Sequence, residues 1–182
     1  MKKLFIALFV AAAAAVGAQA QEVTVSYGAY TQMDAMNNHK GFDKVNTAWG
    51  GVNFGLYIPV AKGVKVGPSY SYSSAYTPAS TYEIPGLGEY SLKSKVGYHT
   101  LMLNVKVDYF QNDIVKLYGH AGVGAVISHM MPKYLESYNK GYFAFQVSPI
   151  GAEVEFMPHA AIFGELGFGA QGLIQVGAKY AF

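Results

Sequence analysis

The residues able to do chemistry in this chain are five histidines, His39, His99, His120, His129 and His159, and a set of lysines and carboxylates spaced through alternating segments. Hydrolysis or acyl transfer needs a nucleophile or activated water, with a histidine and a carboxylate converging on one rim. Here the histidines fall on different elements. His129 follows Ser128 in a long polar stretch with no acidic neighbour, which reads as a solvated loop rather than a catalytic dyad. The scattered histidines also give no metal-ligand spacing, and no cofactor is implied. Asp34 and Asp43, in the first long polar stretch, could bind Ca²⁺ weakly, but solvated loop acids are the plainer reading. The remaining chemistry is electrostatic. Lys106, Lys116, Glu153, Glu155, Glu165 and Lys179 carry both signs and all lie in the parity opposite to the apolar residues of their segments. They are expected to form one buried Lys/Glu network, with Tyr98, Tyr118 and His120 hydrogen-bonding above it.

The elements that would hold such a network are strands. Val23, Val25, Tyr27 and Ala29 alternate in a segment of about Glu22 to Tyr30, and Ala48, Gly50, Val52, Phe54, Leu56 and Ile58 in one of about Asn46 to Ile58. This period of two marks a β-strand with one apolar face. The same pattern recurs over about Val64 to Tyr76, in a segment around His99 to Val107, and over about Ile114 to Ile127. A sixth strand has Phe143, Phe145 and Val147 in one parity and Ala152, Val154 and Phe156 in the other, so a β-bulge near Pro149 is expected. Two further strands, around Ile162 to Phe168 and from Ile174 to Phe182, complete eight. Long polar stretches (Thr31 to Lys44, Thr77 to Lys95, Ser128 to Gly141) and a short fourth one at Gly169 to Gly172 alternate with tight turns at Pro59 to Gly63, Asp108 to Asp113 and Met157 to Ala160. An even number of antiparallel strands with connections alternately long and short is the signature of a transmembrane β-barrel. The sorting of charge agrees. A lysine facing lipid at mid-membrane costs about 2 to 4 kcal/mol, so lipid would drive every charge inward, as water would not.

Composition and the leader fit export to a membrane. Lys2 and Lys3, the apolar run Leu4 to Val16 and the small-residue site Ala18-Gln19-Ala20 read as a signal peptide over residues 1–20, cleaved to leave a single domain at 21–182. The run is too short for a spanning helix. The two leader lysines account for the formal charge of +2, so the mature chain is formally neutral, and a nucleic-acid surface is not indicated. All basic residues are lysines, so the planar fork that grips phosphate bidentately is missing. There is no cysteine, hence no disulfide and no lipoprotein anchor; 15 Tyr, 21 Gly and 13% charged residues suit a barrel with an apolar exterior.

The chain's last residues carry its most specific motif. Gln175, Gly177, Tyr180 and Phe182 resemble the C-terminal assembly signal of Gram-negative outer-membrane barrels. With the strand count, the whole mature chain resembles the small OmpA/OmpX-like barrel proteins. That resemblance implies an integral protein of the cell outer membrane, in contact with lipid and lipopolysaccharide, delivered by periplasmic chaperones and the barrel-assembly machinery. It implies a role in envelope integrity, adhesion or host interaction through the external loops, whose Tyr76, Tyr82, Tyr90, Tyr134 and Tyr138 offer contact surface. An eight-stranded barrel is only wide enough for its own side chains, so a plugged lumen is expected, a narrow channel being the alternative. A lipid-modifying enzyme is a further alternative, but Ser128-His129 departs from the His-x-Ser arrangement of lipid A deacylases. Gly122 and Gly124 are expected opposite Phe163, either filled by its ring or leaving a gap.

Overall fold

The computed structural model describes residues 21–39, 49–76, 80–84, 88–92, 95–112, 114–131 and 138–182. Its barrel strands are β1 (Glu22–Ala29), β2 (Gly51–Ala61), β3 (Val64–Tyr76), β6 (Lys95–Gln111), β7 (Val115–Met131), β8 (Tyr138–Met157), β9 (Ala160–Gly169) and β10 (Ile174–Ala181). They close in the order β1-β10-β9-β8-β7-β6-β3-β2, each antiparallel to its neighbours. Closure runs through β1 and β10, from Glu22 opposite Ala181 to Ala29 opposite Ile174, so the terminal strand has no free edge. The eight-stranded up-and-down barrel read from the alternation is therefore the fold.

Side chains alternate across the wall. Val25, Phe54, Leu103, Val123, Ile162 and Val176 are exposed on the outside, while Thr24, Ser26, Asn53, Ser69, Asn104 and Gln175 are buried within. An apolar exterior this extensive on a polar interior inverts the pattern of a soluble domain and suits a hydrocarbon solvent. Pro68 sits in unbroken register opposite Leu103. The β8–β9 ladder shifts between Val147 and Ile150, around Pro149.

The wall is uneven in height. β1, β9 and β10 have 8, 10 and 8 residues, while β6, β7 and β8 have 17, 17 and 20. About 9 to 11 tilted residues cross a bilayer, so the long strands project past it. The supposed long stretch Ser128 to Gly141 thus contains ladder on both sides, with Ser128 opposite Lys140 and Met130 opposite Tyr138. Beyond the membrane a strand no longer sorts apolar from polar by face, so the alternation fades while the backbone pairing continues.

Two smaller elements fall where the sequence suggested open loops. The stretch after β1 contains helix α1 (Gln32–His39). Asp34 ties its start to Thr31: the Asp34 carboxylate accepts from the Thr31 backbone N–H at 2.7 Å and from its hydroxyl at 3.0 Å, the reciprocal half of a capping box. The stretch after β3 contains a separate two-stranded hairpin of β4 (Ser80–Ile84) and β5 (Gly88–Leu92).

Candidate functional site

The charged residues of the lumen gather at the tight-turn end, in two tiers. In the lower tier Glu22, the first residue of β1, accepts from Lys65 at 2.6 Å and Lys179 at 3.4 Å. Lys179 also meets Glu153, which lies 3.6 Å from Lys116, and Lys65 is 3.9 Å from Asp108. The upper tier is built around Glu165 on β9. Its carboxylate takes the Lys106 ammonium at 3.2 Å, the Tyr118 hydroxyl at 2.8 Å, His120 Nδ1 at 2.8 Å and the Gln175 amide at 3.2 Å. Lys106 is also caged by the rings of Tyr57, Tyr118 and Phe163, at 4.6, 4.7 and 4.8 Å to their centroids. Four lysines thus face four carboxylates across the two tiers. Each buried charge has a partner, the condition under which burial is tolerable.

Of the six residues singled out from sequence, Lys106, Lys116, Glu153, Glu165 and Lys179 meet in this network. Glu155 does not. It is exposed, at the end of β8 where the ladder with β9 slips between Glu155 and Met157, and the strand has there left the lumen. Glu22 takes the place expected of it. The parity Glu22 shares with Thr24 and Ser26, opposite to Val23 and Val25, carried that signal. Lys65, whose place in the parity opposite to Val64 and Val66 is likewise read from the sequence as inward, and Asp108 complete the lower tier. Tyr118 and His120 bond directly to Glu165, whereas Tyr98 sits higher, in an apolar cluster with Met33, Val96, Met102 and Val126. The space at Gly122 is taken by Asn104 and Met102 rather than by Phe163, whose ring lies against Gly177 and Lys106.

The remaining candidates stay apart. Ser128 donates to the Lys140 carbonyl at 3.2 Å, and His129 Nδ1 faces Asn139 at 2.7 Å, so these neighbours in sequence form no dyad. His99 bonds Tyr70 on the outer face at 2.7 Å, and His159 occupies a tight turn with φ of 71°. Among the described residues no cluster has the makeup of a metal site. In the terminal motif, Gln175 and Gly177 face the lumen, while Tyr180 and Phe182 stand outside in edge-to-face contact at 5.0 Å. Ala18, Ala20, Asp43 and Tyr134 lie outside the described residues, as do the side chains of His39, Tyr76, Tyr82, Tyr90 and Tyr138.

A closed eight-stranded barrel, apolar outside and filled by paired charges inside, defines the class: a transmembrane β-barrel of the outer-membrane type. No family model and no curated protein matches the chain. Among solved structures it is similar to Ail, the attachment invasion locus protein of Yersinia pestis, crystallised in complex with the heparin analogue sucrose octasulfate. That match covers 91% of this chain and 100% of Ail at 13% identity, with a TM-score of 0.53. A second crystal structure of Ail matches over 90% and 99% at 13% identity and a TM-score of 0.48. The backbone structure of Ail in a phospholipid nanodisc matches over 91% and 100% at 15% and 0.43. The likeness is one of fold alone.

Proposed function

We propose that this protein is an integral barrel of the outer membrane whose lumen is sealed and structural, and whose surface elements carry its interactions with an external ligand or host surface. The observation that carries this reading is the filling of the lumen. The polar middle of the barrel holds a cavity of about 10 Å³, the room of a single water, between paired ions below and an apolar cluster above. The apolar exterior would meet lipid and, on the outer leaflet, lipopolysaccharide. The terminal strand would serve the assembly machinery and periplasmic chaperones during export, with residues 1–20 removed as a signal peptide. The tall wall of β6 to β8, with α1 and the β4–β5 hairpin, supplies the surface beyond the membrane.

The test is single-channel recording of the mature protein refolded into a planar bilayer, after heat-modifiable migration has established that it is folded. A silent barrel is expected. Steady conductance that shifts on Lys106→Met or Glu153→Gln substitution would instead make the polar lumen a pathway and overturn the sealed reading.

A further inference from the structure

The short connection between β9 and β10 does not leave the barrel; it folds into it. Ala170 and Gln171 are 5% and 3% exposed. Gln171 is tied on every side. Its carbonyl accepts from the Asn53 amide at 3.1 Å, its N–H donates to Gln146 Oε1 at 3.0 Å, and its side-chain amide donates to Ser69 at 2.8 Å and Asn104 at 3.4 Å. Gln146 also donates to the Gly172 carbonyl at 3.2 Å. One turn thereby braces β2, β3, β6 and β8. The inward path depends on glycine: Gly172 has φ of 116°, and a Cβ on Gly28 would stand 1.6 Å from the Gln171 carbonyl oxygen.

Below this turn lies the small polar cavity, walled by Ser26, Asn53, Lys106, Glu165 and Gln175 with Gln171 itself. Above it lies α1. Met33 of the helix and Ala170 of the turn belong to one apolar cluster. Both elements also dock on the same stretch of β8. The Gln32 side chain donates to the Phe143 carbonyl at 2.9 Å and accepts from the Phe145 N–H at 3.4 Å, while the Phe145 carbonyl accepts from the Ala170 N–H at 2.8 Å. A single residue of the tall wall, Phe145, therefore holds the helix with its N–H and the turn with its carbonyl oxygen.

We propose that the β9–β10 turn is the seal of the lumen and that α1 is its latch, so that a ligand drawing α1 away from the barrel mouth admits water to the lumen's polar middle. This rests on the sealed lumen proposed above and adds a route by which an event at the surface reaches the interior. The two elements share an apolar cluster and one anchoring residue, Phe145, so the equilibrium of one biases the other, the requirement for coupling between distinct sites.

The chain has no cysteine, so Ser26→Cys places a single thiol in the cavity wall. The full mature protein is reconstituted in lipid vesicles, and a small membrane-impermeant methanethiosulfonate is applied to the loop side. In the Ser26→Cys parent the thiol should be protected. Adding Gln171→Ala at the seal, or Gln32→Ala at the latch, should each raise the labelling rate about tenfold, the factor expected for losing a buried hydrogen-bonded amide. Heat-modifiable migration verifies that each variant is folded; Gln171→Asn and Gln32→Asn are the milder replacements if either fails. Rapid labelling of the parent would overturn the sealed lumen, and this inference with it. A protected parent with either variant equally protected would overturn the seal-and-latch inference alone and leave the sealed lumen standing.

Discussion

Replacing Glu165 by alanine should be the most damaging single change in the lumen. The carboxylate is 3% exposed and receives four donors, one of them the charged Lys106. Its removal leaves a buried ammonium without a counter-ion, which in soluble proteins costs about 3 to 5 kcal/mol. The Tyr118 hydroxyl and His120 lose a partner as well, each worth about 1 to 3 kcal/mol when left unsatisfied, though losses within one network do not simply add. The aromatic cage around Lys106 gives no relief, because it already acts in the parent. The expected loss is therefore about 4 kcal/mol. Glu165→Gln keeps the shape but not the charge and should cost roughly half as much. Lys106→Met combined with Glu165→Gln should cost less than the sum of the two singles by at least about 1.5 kcal/mol, since each removes the other's unpaired partner. The assay is urea unfolding of the barrel in lipid vesicles, followed by gel mobility and by fluorescence of Trp49, the single tryptophan. A Glu165→Ala cost below about 1 kcal/mol, or strict additivity in the cycle, would refute the account of a mutually dependent network.

Asp34→Ala removes the carboxylate that accepts from Thr31 at the start of α1. It should weaken the helix by about 1 kcal/mol and speed limited proteolysis within residues 32–39, while leaving the unfolding midpoint of the barrel unchanged. Phe182→Ala acts at the opposite end of the molecule. Phe182 is 71% exposed and touches Tyr180, so its loss should lower the yield of folded barrel in the outer membrane of cells while protein refolded in vitro keeps its heat resistance. An equal loss in both settings would make the terminal aromatic a packing residue rather than part of an assembly signal.

The polar parity that contains Lys106, Lys116, Glu153, Glu165 and Lys179 was legible without a structure, because lipid on one side of the wall makes the sorting of charge nearly obligatory. The same pressure made the eight strands readable wherever the wall lies in the membrane. It does not act beyond the bilayer, and there the reading shortened β7 and β8 and passed over α1. That helix is only eight residues long, marginal by its own propensity, and is held by Gln32 and Met33 against strands far away in sequence. Glu155 shows the limit in the other direction. Its parity matches that of Glu153, but whether an inward-facing position lies within the lumen or past its rim depends on where the ladder ends. What the sequence determined by itself was the class of the molecule: strand number, inside and outside, and the two signs of charge in the lumen. Only the tertiary structure decided which lysine meets which carboxylate, and that a four-residue connection turns inward and buries Ala170 and Gln171 within the barrel. Those pairings are set by the stagger of neighbouring strands and by glycines that let two backbones approach, quantities that depend on all eight strands at once.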